Sequence, residues 1–225
     1  MELRLDGTHY PLETLGPGKR LGVWFQGCSL ACAGCMSRHT WDPAAGTAGT
    51  VAEVLGLWRR ALADGADGLT VSGGEPLQQP EALAALLTGA ARLRDGARRH
   101  EGSAGPRLPD LLVYTGYEPG ELTPGRRRAL HGADAVITGR FRVAEPTRLA
   151  WRGSANQRIH PLTPLGAARY APYLTREAPG PRLQPAPGPD GALRLHGVPL
   201  RGELVALEKL LRQDGVALTD RSWRP

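Results

Sequence analysis

Arg20-Leu-Gly-Val-Trp-Phe-Gln-Gly-Cys-Ser-Leu-Ala-Cys-Ala-Gly-Cys35 runs from a mostly apolar strand, Arg20 to Gln26, straight into a loop. That loop holds all three cysteines of the 225-residue chain: Cys28, Cys32 and Cys35. Gaps of three and two residues let three sulfurs turn toward one centre, and Gly27 and Gly34 ease the turning. Three thiolates on one tight loop suit a 4Fe–4S cluster in which the protein holds three irons and leaves the fourth open. An open coordination position marks a reaction site, as it does for catalytic as against structural zinc. Zinc is the competing reading. It needs a fourth ligand, for which His39 is the candidate, and a solvated surface histidine is the plainer account of His39. The odd cysteine count argues against a disulfide framework.

The chain alternates strands and helices on either side of this loop. Leu3 to Tyr10 reads as a short hairpin with Asp6-Gly7 as its turn. Thr50-Val-Ala-Glu53 is a capping box that opens a helix to about Ala63. Gly68 to Ser72 is a second buried strand, ending in Gly73-Gly74-Glu75-Pro76. A helix follows from about Pro80 to Leu93, then a strand from Asp110 to Thr115. Thr123-Pro124 starts a short helix, and Ala133 to Thr138 is the fourth strand. This order predicts right-handed βαβ units, a parallel sheet, and ligands beyond the carboxyl ends of its strands. Three of those ends carry conspicuous residues: the cysteine loop, the Gly-Gly-Glu-Pro turn and Tyr114-Thr115-Gly116. Residues 1–175 form the expected core. Arg94 to Pro109 reads as a flexible insertion, 176–190 as a Pro-rich linker, and 191–225 as a small appendage. The appendage holds a strand from Gly191 to Leu200 and a helix from Gly202 to Gln213, is too short for a core of its own, and is expected to dock on the core or on a partner.

An apolar fraction of 41% is enough for a real core. The N-terminus lacks the apolar stretch of a secretory signal, and no run is long enough to cross a bilayer, so the expected location is the cytoplasm, where thiols stay reduced. The formal net charge of +6 comes mainly from arginine. No dense basic run exists beyond Arg126-Arg127-Arg128, so an Arg-rich surface explains the charge better than nucleic-acid binding.

Gly73-Gly74-Glu75-Pro76 alone is an ordinary strand-to-helix turn. One βα unit after a three-cysteine loop, it also reads as a place where backbone comes close to a ligand. This pairing resembles the radical S-adenosylmethionine superfamily. Gly16-Pro-Gly-Lys-Arg20, Val23 to Cys28, Thr40-Trp41, Ser72 to Leu77, Tyr114 to Tyr117, Gly139-Arg-Phe141 and Trp151-Arg-Gly-Ser-Ala-Asn-Gln157 follow in order. Together they look like the activating proteins of anaerobic ribonucleotide reductase, relatives of pyruvate formate-lyase activase, over residues 12 to about 162. The resemblance implies an incomplete (β/α)6-type TIM barrel with a small C-terminal βα appendage. It implies that Cys28, Cys32 and Cys35 hold a 4Fe–4S cluster whose open iron chelates S-adenosylmethionine. One electron then splits the sulfonium to methionine and a 5′-deoxyadenosyl radical, which abstracts a hydrogen atom. Gly73, Gly74, Glu75 and Pro76 are expected at the methionine amino group and Thr115 near the ribose or carboxylate. Arg152, Asn156 and Gln157 are expected on the open side of the site. The implied partners are a flavodoxin or ferredoxin as reductant and a glycyl-radical enzyme.

Some features depart from this pattern or have plainer readings. Gly34 stands where many superfamily members carry an aromatic residue facing adenine, which leaves Met36 or the surroundings of Val136 for that contact. Trp151 and Arg152 read equally as a packing corner, and Lys19 and Arg20 as solvated charges. His100, His131 and His196 read as surface residues, and His160 as the other histidine to test. The alternatives are a small-molecule enzyme similar to 7-carboxy-7-deazaguanine synthase, a peptide-modifying enzyme using the tail for recognition, and a non-catalytic iron–sulfur protein.

Overall fold

The computed structural model describes residues 1–101, 108–177, 180–188, 191–219 and 221–223, with backbone alone for 97–101. Its frame is a seven-stranded mixed sheet. The strands are β1 (Glu2–Leu12), β2 (Arg20–Phe25), β3 (Thr47–Thr50), β4 (Gly68–Gly73), β5 (Asp110–Tyr114), β6 (Ala135–Thr138) and β7 (Arg158–Pro161), in the order β3-β1-β2-β4-β5-β6-β7. Strands β2, β4, β5 and β6 are parallel, and β1, β3 and β7 add antiparallel edges. The crossovers between parallel strands are α1 (Val51–Ala63), α2 (Pro80–Glu101) and α3 (Pro124–Ala129). Six βα units were expected; three such crossovers are seen among the described residues. The α/β class and the parallel centre stand as read from the sequence.

The four central strands are buried on both faces, which is why they read as near-continuous apolar runs. Helices α1 and α2 cover one face, and the fully buried Trp58 indole donates to Ala90 O at 3.1 Å. On the other face a second cluster gathers Leu112, Ile137, Trp151 and Tyr170 around α4 (Pro164–Tyr170), and a third joins Leu12, Leu15 and Trp24. The Thr50–Glu53 capping box forms as read: Thr50 N donates to Glu53 Oε2 and Glu53 N to Thr50 Oγ1.

Three local readings change. The Asp6-Gly7 hairpin is instead one continuous β1 with a register shift between Leu5 and Gly7. The glycine marks a bulge, one of its ordinary uses inside a strand. Helix α2 continues beyond Leu93 to Glu101, and the rest of the expected insertion up to 107 lies outside the described residues. Within the Pro-rich stretch, β8 (Leu183–Pro187) pairs antiparallel with β9 (Leu193–Gly197) as a separate two-stranded sheet. Proline is tolerated there because neither strand is central. Helix α5 (Glu203–Gln213) follows. No described helix is long and apolar enough to cross a membrane.

Arg20 is fully buried, not solvated: its guanidinium meets Asp110 at 2.7 and 3.0 Å and donates to Thr70 Oγ1 at 2.6 Å. Arg169 and the Tyr170 hydroxyl also reach Asp110. Gly68 leaves room for this group, since a Cβ there would lie 2.3 Å from an Arg20 nitrogen. Lys19 remains exposed.

Candidate functional site

The cysteine loop is closed at its base by main chain and one amide. Gly27 N donates to Thr40 O at 2.8 Å and Cys28 N to Trp41 O at 3.0 Å. The Gln26 side chain, 3% exposed, donates to His39 O and Asp42 O, and Gln79 Nε2 holds Gln26 O. Within the loop, Cys35 N donates to Cys32 O, and Gly34 takes φ of +75°. All three cysteines are half-buried free thiols.

The Gly-Gly-Glu-Pro turn lies directly under that loop. Gly74 N donates to Phe25 O at 2.7 Å and Glu75 N to Gly27 O at 2.8 Å. The approach is so close that a Cβ on Gly73 would sit 2.3 Å from Phe25 N, and one on Gly74 2.3 Å from Gly27 O. These glycines are needed for two turns to touch. Pro76 is buried and opens a single 3-10 turn. The Glu75 carboxylate is 1% exposed and ties two strand ends together. It accepts from Leu77 N at 2.9 Å, from Thr115 Oγ1 at 2.9 Å and from Gly116 N at 2.7 Å. Burial pushes its pKa up, and these donors pull the other way.

One cavity of about 510 Å³ brings together Cys28, Cys32, Cys35, Met36, Gly73, Gly74, Glu75 and Thr115. Gly116, Gly139, Phe141, Trp151 and Gln157 are among the other core residues that line it. Arg152 is not on its open side. The side chain is buried, with its guanidinium donating to Ala150 O, Tyr173 O and Leu174 O. Its neighbour Trp151 adopts φ of +57° and packs on Tyr170 and Tyr173, so the packing-corner reading describes this pair. Asn156 also lies off the lining and braces its own loop through Arg140 O and Ser154 Oγ. Gln157 does line the cavity, with its amide bonded to Gly139 O and Gly153 N. Val136 itself is a core residue, while Met36 lines the cavity, as do Gly139 and Phe141 just beyond Val136. His160 bonds Thr138 Oγ1, and His39 pairs with Asp6 at 3.5 Å. His131 is exposed, as read, and the His100 side chain lies outside the described residues.

The appendage, expected to dock on the core or on a partner, packs against the core at this cavity. Leu195 to Gly202, Leu204, Val205 and Trp223 line the same cavity. His196 is half-buried rather than solvated: its ring stacks on His9 at 4.6 Å and lies tilted against Trp24 at 4.5 Å. A second hollow, of about 730 Å³, lies at the amino ends of the parallel strands beside Gly16, Asp67 and Arg169, away from the cysteines.

The thiols suit an iron–sulfur group. All three face one cavity. Burial holds the Cys28 and Cys35 thiols above the ordinary cysteine range. The backbone N–H groups of Leu30, Ala31 and Ser37 and the side chain of Trp41 favour their thiolates. Bound iron favours the thiolate further, and N–H donors to sulfur are a known means of tuning a cluster. No group of three His, Cys, Asp or Glu side chains among the described residues is gathered as a single metal ion requires.

The family model described as "4Fe-4S single cluster domain" matches residues 14–160. The anaerobic ribonucleoside-triphosphate reductase-activating protein of Vibrio cholerae is 32% identical over 164 residues, covering 69% of this chain and 96% of that protein. This chain belongs to that activating-protein family. The Haemophilus influenzae member is 34% identical over 161 residues, covering 68% of this chain and 94% of its own. A crystal structure of QueE from Escherichia coli aligns with a TM-score of 0.40 at 16% identity, over 61% of this chain and 70% of that one. The family match takes in the cysteine loop, the Gly-Gly-Glu-Pro turn and Gln157. It stops before β8, β9 and α5.

Proposed function

We propose that this chain is a radical S-adenosylmethionine enzyme that activates a glycyl-radical ribonucleotide reductase. Its core works as an incomplete barrel, with Cys28, Cys32 and Cys35 holding a 4Fe–4S cluster. When bound, the cluster supplies the electron that breaks a carbon–sulfur bond of S-adenosylmethionine. The observation that carries this reading is the meeting of all three cysteines with Gly73, Gly74, Glu75 and Thr115 around one cavity, inside the family match.

The chain's own residues position and exclude. The Gly73-Gly74 main chain presses against Phe25 and Gly27, so the turn and the cysteine loop keep a fixed spacing. Glu75 fixes the β4 turn to Thr115 and Gly116 at the end of β5, and this holds the cavity floor in place. Trp24, Leu30, Phe141 and Trp151 supply apolar walls that keep bulk water out. A flavodoxin or ferredoxin is the proposed reductant, and a backbone glycine of the reductase the proposed hydrogen donor.

The test is anaerobic reconstitution with iron and sulfide, followed by reduction with S-adenosylmethionine present. We expect a brown chromophore and release of 5′-deoxyadenosine, both lost in Cys32→Ala. Uptake of one zinc ion with no iron, or cofactor cleavage retained by Cys32→Ala, overturns the proposal.

A further inference from the structure

The segment beyond the family match is built onto the mouth of the cavity. Arg182 donates to the carbonyls of Arg148, Arg152 and Val198. Gln184 holds Pro11 O and accepts from Glu13 N. Thr14 Oγ1 donates to His196 O, and Ser222 Oγ to Met36 O at 2.8 Å, one residue past the third cysteine. Trp223 is fixed in turn by its indole N–H, which donates to the buried Glu208 carboxylate at 2.8 Å. The face presented to the cysteines by this segment is mainly apolar, with Leu195, Val198, Leu200, Leu204 and Trp223 beside the His196 imidazole and the Arg201 guanidinium. Across the cavity stand Phe141, Val143 and Trp151.

We infer that Leu183 to Trp223 is a specificity wall of the site, which leaves beside the cofactor a lane to the cysteines that favours a small, uncharged, apolar-flanked group over bulky or charged ones. A cavity of about 510 Å³ lies in the lower half of the range of ligand sites, so a cofactor and a substrate group share it closely. A charged group passing Leu195, Val198, Leu200, Leu204 and Trp223 meets apolar surface there, with His196 and Arg201 as the polar side chains on this side to replace its water. Naming the entering group a substrate rests on the proposed function. The wall itself does not, because its effect can be read on the thiols with no cluster, cofactor or reductase present.

The experiment uses the full chain, reduced and iron-free, and follows alkylation of Cys28, Cys32 and Cys35 by mass spectrometry. Three maleimides are compared: N-phenylmaleimide, a carboxylate-bearing maleimide of similar size, and a maleimide on a polyethylene glycol chain. The intact protein should favour the phenyl reagent over both others. In L200A/L204A/W223A, which removes no charge, that preference should fall by about tenfold as the wall's protection is lost. The size and polarity preference of the unaltered chain is measured alone, so a misfolded variant does not remove the test. Equal rates for all three reagents in the intact chain, or an unchanged preference in a folded variant, overturns the wall. Loss of the activase reading with the thiol preference intact removes only the name of the occupant.

Discussion

Glu75 shows how one buried carboxylate can decide the geometry of the site it lines. Replacing it with alanine leaves Leu77 N, Gly116 N and the Thr115 hydroxyl without their acceptor in a buried place. Stranded buried donors cost about 1–3 kcal/mol each before relaxation, so Glu75→Ala should lose at least about 2 kcal/mol in urea unfolding. Glycines give a paired test. Gly56 lies inside α1 with nothing within 4 Å of an added Cβ, so Gly56→Ala should stabilise by about 0.5–1 kcal/mol. Gly74→Ala places a methyl 2.3 Å from Gly27 O and should destabilise under the same measurement. The sequence marked Gly73, Gly74 and Glu75 as special because glycine pairs and a carboxylate at a strand end are legible locally. It did not reveal that the glycines serve contact between two turns, because that contact joins residues almost fifty positions apart. For the same reason Arg152 looked like a site residue: an arginine in a motif carries no sign of the three carbonyls that bury it.

At the scale of elements, patterns with a local cause were readable. The Thr50–Glu53 box acts within one helical turn, and Thr50→Ala should cost α1 about 1 kcal/mol by the same assay. The parallel central strands were readable from their apolar runs and the helices between them. Asp6-Gly7 misled because a bulge and a hairpin turn use the same residues, and only the partner strand decides between them. Strand β8 was hidden by its prolines, since proline excludes only central ladder positions. Arg20 was unreadable because its partner Asp110 opens a strand ninety residues later. Asp110→Ala leaves a buried guanidinium unpaired, which typically costs about 3–5 kcal/mol. Chemical denaturation should show a loss of that size, well above that of Thr50→Ala.

The whole molecule is a core that the family match spans, plus a tail fixed across the face that carries the cysteines, and the join carries a pH dependence. Burial, with the neighbouring His9 and Arg194, pulls His196 down to about 4, and burial also lowers His9. Asp6 beside them is opposed by its own burial, but His39, Arg194 and His196 hold it below the ordinary aspartate range. A histidine depressed in the folded state favours its neutral form there. Its contribution is therefore whole above the ordinary histidine value near 6.5 and is lost as pH falls toward about 4. Hydrogen exchange, corrected for intrinsic rates, should show β8 and β9 losing protection across that window while β4 and β5 keep theirs. His196→Phe should move the loss to lower pH.

The cysteine loop is shut at its root by Gln26 and two main-chain bonds, none of which involves a sulfur. Small zinc domains whose metal is their only organiser unfold when stripped. Chelation of iron here should leave the melting temperature nearly unchanged, with cleavage by protease confined to the tip between Ser29 and Arg38. Exposure to oxygen then becomes an injury the protein survives in shape, so that fresh iron and sulfide can restore it in place without a new round of folding.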